Sequence, residues 1–223
     1  MNYEGSEKLK NIKAVLFDFD GTIFDTNKLI IDSWNEVFRI KGGSRTEEEI
    51  LATFGEPLTV SMEKWFPGES EECINIYRNY QRDIFFEKIE LYEGMDELIK
   101  KLKTLGVLNA VVTSRLASST ISTLEKYDLA RYFDVIVTCD DTEKHKPDPE
   151  PALLALEKLG ISADEAIMIG DSRFDIRCAH NAGIKAVLVG WSEAAAAGDI
   201  PKNGIDAPDF VIESAEELLE IIA

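Results

Sequence analysis

Short apolar runs, repeated along the chain, set the limits on how it can fold. They fall at 14–17 (AVLF), 107–113 (VLNAVVT), 135–138 (VIVT), 166–170 (AIMIG) and 186–190 (AVLVG), with FVI at 210–212 as a sixth. Runs this short and this continuously apolar suit strands covered on both faces, as in parallel sheets. Helical stripes lie between them. Met95, Leu98, Ile99, Leu102 and Leu105 form one ahead of Gly106, and Leu153, Leu156 and Leu159 form another ahead of Gly160. Strand and helix in alternation predict an α/β fold built on a doubly wound parallel sheet.

The interval 28–88 breaks that rhythm. It contains no good strand but two helical stripes, one of Leu29, Ser33, Trp34, Val37 and Phe38, the other of Cys73, Tyr77, Tyr80 and Ile84. Gly42-Gly43, Gly55 with Pro57, and Pro67-Gly68 separate the helices. The interval reads as an all-helical insert after the first strand, placed over the carboxyl ends of the strands, where such sheets bind ligands. Its connections fall near 25–27 and 87–94. A core of 1–26 and 89–223 with a helical cap of 27–88 is the expected division. Residues 1–10 are expected to form a loose arm, and the alanines at 194–197 a helical turn stopped by Gly198.

With 42 acidic residues against 24 Lys and Arg, the net charge is −18. Such a chain repels phosphate backbones and anionic lipid, so no nucleic-acid partner and no membrane partner are expected. An anionic ligand would need a local reversal of the field, which a divalent cation supplies. The three cysteines, Cys73, Cys139 and Cys178, are scattered and lack metal-binding spacing. With no signal-like apolar segment at the start, they predict a reducing, cytoplasmic setting.

The chemistry-bearing residues cluster at strand ends. Asp18 and Asp20 follow the first run, two apart, so on an extended backbone both face one small volume. Two carboxylates so close call for a cation or a shared proton; a polar loop after a strand is the plainer reading. Gly21 permits a sharp turn after them. Thr113, Ser114 and Arg115 close the second run, where hydroxyls and free N–H groups can hold a phosphate oxygen or cap the next helix. Lys146 precedes Pro147 and Pro149 in a stiffened loop. Asp171 and Asp175 end the fourth run, spaced to share one side of a first helical turn.

Four motifs in order, DFDGT, VVTS, KPDP and GDSRFD, resemble those of the haloacid dehalogenase superfamily of phosphohydrolases. The resemblance covers essentially the whole chain, and the insert resembles that family's helical cap. It implies Asp18 as nucleophile, forming an aspartyl-phosphate, and Asp20 as general acid and then base. It implies Mg²⁺ held by Asp18, the Asp20 backbone carbonyl and Asp171, with Asp175 direct or one layer behind. Thr113, the Ser114 backbone and Lys146 would stabilise charge on the transferring group, within the loop formed by Gly21 and Thr22. Asp20 argues against dehalogenation, because that branch lacks the second acid.

The segments DTNKLIIDSW, FGEPL and KPDPEPAL resemble the phosphoglycolate-phosphatase-like branch, and among it the bacterial inorganic pyrophosphatases. A small phosphorylated metabolite is the implied partner, inorganic pyrophosphate first. Phosphoglycolate, a range of monoesters and β-glucose 1-phosphate are the alternatives. Glu56 in FGEPL is expected to face the substrate, and Arg115 to grip a second phosphate or carboxylate. Lys41, Gly42 and Arg45 superficially fit a β-phosphoglucomutase feature, but they read better as a helix-ending turn with Ser44 or Thr46 as the next cap. A non-catalytic binding module would need a missing nucleophile or metal ligand, and none is missing.

Overall fold

The computed structural model describes residues 9, 11–193, 195, 200–201 and 203–222. In chain order its strands are β1 (Ala14–Phe17), β2 (Phe24–Asp25), β3 (Glu90–Leu91), β4 (Leu108–Val112), β5 (Val135–Val137), β6 (Ala166–Gly170), β7 (Lys185–Val189) and β8 (Phe210–Ile212). The helices are α1 (Asn27–Lys41), α2 (Glu47–Leu51), α3 (Leu58–Trp65), α4 (Ser70–Lys88), α5 (Met95–Thr104), α6 (Ala117–Lys126), α7 (Glu150–Leu159), α8 (Arg173–Asn181) and α9 (Ala215–Ile222). Apart from Leu9 and Ala195, the expected amino-terminal arm and the alanine turn lie outside the described residues.

Six parallel strands form one sheet in the order β5-β4-β1-β6-β7-β8. The chain builds outward from β1 in one direction through β4 and β5, then in the other through β6, β7 and β8. The direction changes between β1 and β6, the place where open α/β sheets bind ligands at their carboxyl ends. Register brings those ends level: Phe17 pairs with Val111 on one side and Ile169 on the other.

Successive side chains alternate, so the central strands β1 and β6 are buried on both faces. Val15 and Phe17 join Leu98, Ile99, Leu102, Leu124 and Leu218 in one cluster. Ala14 and Leu16 join Ala152, Ala155, Leu156, Ile176 and Ala179 in the other. Two expected helical stripes need correction. On α7 the buried face is Pro151, Ala152, Ala155 and Leu156, while Leu153 is exposed, because small residues let the helix approach the sheet closely. Leu105 lies beyond the end of α5 and is also exposed.

Helices α1 to α4 occupy the interval between β2 and β3 and enclose a cluster of their own. Trp34 is its centre, with ring centroids 4.5 Å from Trp65 and 5.6 Å from Tyr77. Thr46 opens α2 with a reciprocal capping box to Glu49. The chain leaves and rejoins the sheet domain through the antiparallel β2-β3 pair, Phe24 opposite Leu91 and Asp25 opposite Glu90. Two-residue strands carry no periodicity, so the sequence did not reveal this ribbon. Among the described residues, no helix is long and apolar enough to cross a membrane.

Candidate active site

The residues after β1 separate by side. Phe19 turns into the core, 4.7 Å from the Phe24 ring. Asp18 and Asp20 turn the other way and line a cavity of about 170 Å³. Gly21 then adopts φ +74°, and a Cβ there would lie 1.9 Å from Asp171 Oδ2. Only glycine lets the β1 loop pass so close to the β6 loop. Thr22 is buried with no partner for its hydroxyl, and its carbonyl accepts from Trp191 Nε1 at 3.3 Å.

Lys146 is the hub. It is 2 % exposed, and its ammonium donates to Asp18 Oδ1 and Asp175 Oδ1, each at 2.5 Å. The other Asp175 oxygen accepts from the Ser172 N–H at 3.1 Å and from the Ser172 hydroxyl, completing a capping box on α8. Asp171 Oδ2 accepts from Ser192 Oγ at 2.6 Å. Carboxylate oxygens of Asp18, Asp171 and Asp175 come within 4.8 Å of one another.

Lys146 bonds two of the three buried carboxylates, and the ionisation of Asp18 and Asp171 reflects their crowding. Burial, then repulsion from Asp175, holds Asp18 well above the usual carboxylate range despite Lys146. Burial and Asp175 push Asp171 up to about 7. Burial alone would lower Lys146, but Asp175 and Asp18 overcome it and raise the ammonium above the ordinary lysine value. Hard oxygen donors carrying more negative charge than Lys146 neutralises fit a divalent cation.

The β4 end supplies the opposite wall. Thr113 Oγ1 accepts from the Arg115 N–H at 3.1 Å, and the buried Ser114 hydroxyl has no partner. Neither caps a helix, since α6 begins at Ala117, whose N–H donates to Asp140 Oδ2. The Arg115 guanidinium lies 3.4 Å from Asp20 Oδ1 without hydrogen-bond alignment.

The insert closes the cavity from above. Gly55, at φ +78°, sits against the core: a Cβ would lie 2.4 Å from Ser172 Oγ and 3.0 Å from the Phe174 ring. Glu56 lines the cavity, but its carboxylate accepts from Ser61 Oγ within the insert. Lys41 and Arg45 are used elsewhere. Lys41 pairs with Glu69 and Glu72 at 2.6 Å, and Arg45 stands over the Phe38 and Trp65 rings.

Of the residues expected at the site, Asp18, Asp20, Glu56, Thr113, Ser114, Arg115, Lys146 and Asp171 line the cavity, while Gly21, Thr22 and Asp175 stand behind it. Sequence reasoning missed Tyr77, Arg78 and Gln81 of α4, which also line it, and Ser192. Ser192 follows the fifth apolar run, so its strand-end position was a usable signal. Arg78 and Gln81 belong to no motif.

The sequence profile of haloacid dehalogenase-like hydrolases matches residues 15–189, from β1 to the end of β7. The chain belongs to the haloacid dehalogenase-like hydrolases. Within that family it is 40% identical over 214 residues to a Caldanaerobacter subterraneus subsp. tengcongensis protein named, by inference, pyrophosphatase PpaX, covering 95% of this chain and 94% of that one. Pyrophosphatase PpaX of Halalkalibacterium halodurans is 37% identical over 212 residues, covering 95% and 97%. A solved structure from Lactobacillus plantarum, named by inference a phosphoglycolate phosphatase, matches with a TM-score of 0.84 at 26% identity, over 95% of this chain and all of that one. The protein is thus a haloacid dehalogenase-like hydrolase.

Proposed function

We propose that this enzyme is a Mg²⁺-dependent phosphohydrolase that works through an aspartyl-phosphate on Asp18, with inorganic pyrophosphate as its substrate. The observation that carries the chemistry is the buried Lys146 bridge, which fixes Asp18 at the cavity floor with Asp20 beside it. Residues 27–88 act as a cap on a core of 1–26 and 89–223. Mg²⁺ would be held by Asp18, Asp171 and the Asp20 carbonyl, with Asp175 completing the acidic set, and would supply charge neutralisation for the phosphoryl oxygens.

An Asp18 carboxylate oxygen attacks phosphorus, and the bond to the bridging oxygen breaks with its electron pair going to that oxygen. Asp20 gives its proton to the departing phosphate. Water then attacks the phosphorus of the aspartyl-phosphate and gives a proton to Asp20. The bond from Asp18 to phosphorus breaks, releasing a second phosphate and restoring the Asp18 carboxylate. Lys146, Thr113 and the Ser114 backbone hold the equatorial oxygens, donors already placed before charge develops. Three free cysteines support a reducing, cytoplasmic setting.

Pyrophosphate is favoured by the names of the relatives at 37% and 40% identity and by the small size of the cavity. The Lactobacillus plantarum likeness supports 2-phosphoglycolate as the second reading. Phosphate release from each compound with Mg²⁺ decides between them. A clear preference for pyrophosphate, absent in Asp18→Asn, is expected. Preference for 2-phosphoglycolate would replace the substrate, and release from neither by folded, Mg²⁺-loaded protein would overturn the reading.

A further inference from the structure

The cavity wall formed by α4 carries a positive charge that meets no carboxylate among the described residues. In a chain of net charge −18, Arg39, Arg131 and Arg177 each meet a carboxylate. Arg78 lines the cavity and has no carboxylate partner among the described residues. The residue is exposed to solvent as well as lining the cavity. The preceding residue, Tyr77, is buried and lines the same cavity. Gln81, one turn further along α4, donates to the Tyr77 hydroxyl at 3.1 Å and also lines the cavity.

In an in-line displacement the leaving group departs on the side away from the nucleophile, where the acid waits to protonate it. Asp20 marks that side here; the Arg115 guanidinium lies 3.4 Å from it, and Tyr77, Arg78 and Gln81 line the same cavity. Lys146, Thr113 and Ser114 attend the transferring group, so the α4 wall is left for what departs.

We propose that the face of α4 carrying Arg78 and Gln81, together with Arg115 in the same cavity, is the leaving-group subsite and selects a compact anionic leaving group, the second phosphate of a diphosphate. The proposal rests on the phosphohydrolase reading above and names the residues that choose its substrate. Two guanidinium groups can bracket a phosphate with charge-assisted hydrogen bonds. An uncharged leaving group has no use for them.

The test compares Arg78→Ala, Arg78→Lys and the control Arg82→Ala, an exposed arginine of the same helix that bonds Asn79 and lies outside the cavity lining. Substrates are pyrophosphate and p-nitrophenyl phosphate, whose leaving portion is uncharged before reaction. Binding of Mg²⁺-imidodiphosphate, whose P–N–P bridge resists cleavage, is measured by titration calorimetry on the same proteins. In Arg78→Ala the loss of kcat/KM for pyrophosphate is expected to exceed that for p-nitrophenyl phosphate at least tenfold, mainly through KM. Imidodiphosphate binding weakens about tenfold or more, the scale of one charge-assisted bond. Arg78→Lys recovers part of both losses, and Arg82→Ala behaves as wild type. Equal losses on both substrates, or imidodiphosphate binding unchanged by Arg78→Ala, would overturn the subsite. Imidodiphosphate binding that depends on Arg78 in a protein that does not hydrolyse pyrophosphate would keep the subsite and remove the substrate assigned above.

Discussion

Lys146 is a single ammonium set among carboxylates that would otherwise repel, so it matters to the fold as much as to the chemistry. Removing one partner of a buried ion pair leaves the other uncompensated, at a cost of about 3–5 kcal/mol. Lys146→Met should lower stability by that amount, read from the urea midpoint at constant m-value, and a change below about 1 kcal/mol would mean that water reaches the carboxylates. Asp18 has the reverse character. Burial and its acidic neighbours work against its charge, so the nucleophile proposed above is a group the metal-free fold tolerates poorly. Asp18→Asn keeps an acceptor for Lys146 while deleting a repulsive charge. It should reduce kcat by about three orders of magnitude or more yet raise the melting temperature of the metal-free protein. Each 1 kcal/mol relieved corresponds to roughly 2–4 °C in a chain of this size. Unchanged or lower melting would show that Asp18 is not under electrostatic load.

Among the elements of the insert, the loop between α2 and α3 is held against the core. Gly55 combines a left-handed backbone with a Cβ position already filled by Ser172 and Phe174. Gly55→Ala must either strain the loop or lift it from α8. Because α8 begins at the acidic set, kcat/KM should fall about tenfold, with Mg²⁺ affinity of the free protein little changed; wild-type turnover would mean that the loop need not touch the core during catalysis. FGEPL carried the signal for a loop that meets the site, but not for where its glutamate points. Glu56 faces the cavity and spends its carboxylate on Ser61, a contact five residues away that no motif encodes. The strand-end aspartates were legible because their spacing and apolar approach repeat a physical requirement of the sheet. The α7 stripe misled because leucine spacing marks an apolar helix, whereas close packing chose Ala152 and Ala155 for the buried face. Arg78 was illegible because its meaning depends on which part of the core α4 lies across, a fact of tertiary placement.

At the scale of the whole molecule, the metal proposed above would tie acidity to fold stability. Mg²⁺ bound by the folded state alone would add about 2.7 kcal/mol at a hundredfold excess over its Kd, which at roughly 2–4 °C per kcal/mol is a clear rise in melting temperature that chelator should reverse. No shift would remove the metal from the buried acidic set. Far from that site, Asp209 ties the outer edge of the sheet together, accepting from Lys185 Nζ at 2.5 Å, the Ala186 N–H at 2.9 Å and His180 Nε2 at 2.9 Å. Burial acts to raise its pKa, and these partners outweigh it, so the group lies below the ordinary aspartate value. A lowered folded value contributes stability above the unfolded pKa of about 4, lost as pH falls through the folded one. Asp209→Asn should cost about 1–2 kcal/mol at pH 7, with the gap to wild type closing in acid; a gap constant with pH would assign the loss to packing. The β2-β3 ribbon has a further consequence. It holds Asp25 beside Glu90, so the backbone departs for 27–88 and comes home at neighbouring points. Such a hinge post makes the helical segment a cassette. A short turn could bridge 26 to 89 without disturbing the pairing of the six-stranded sheet, and removing what lies between would uncover the cavity the insert closes.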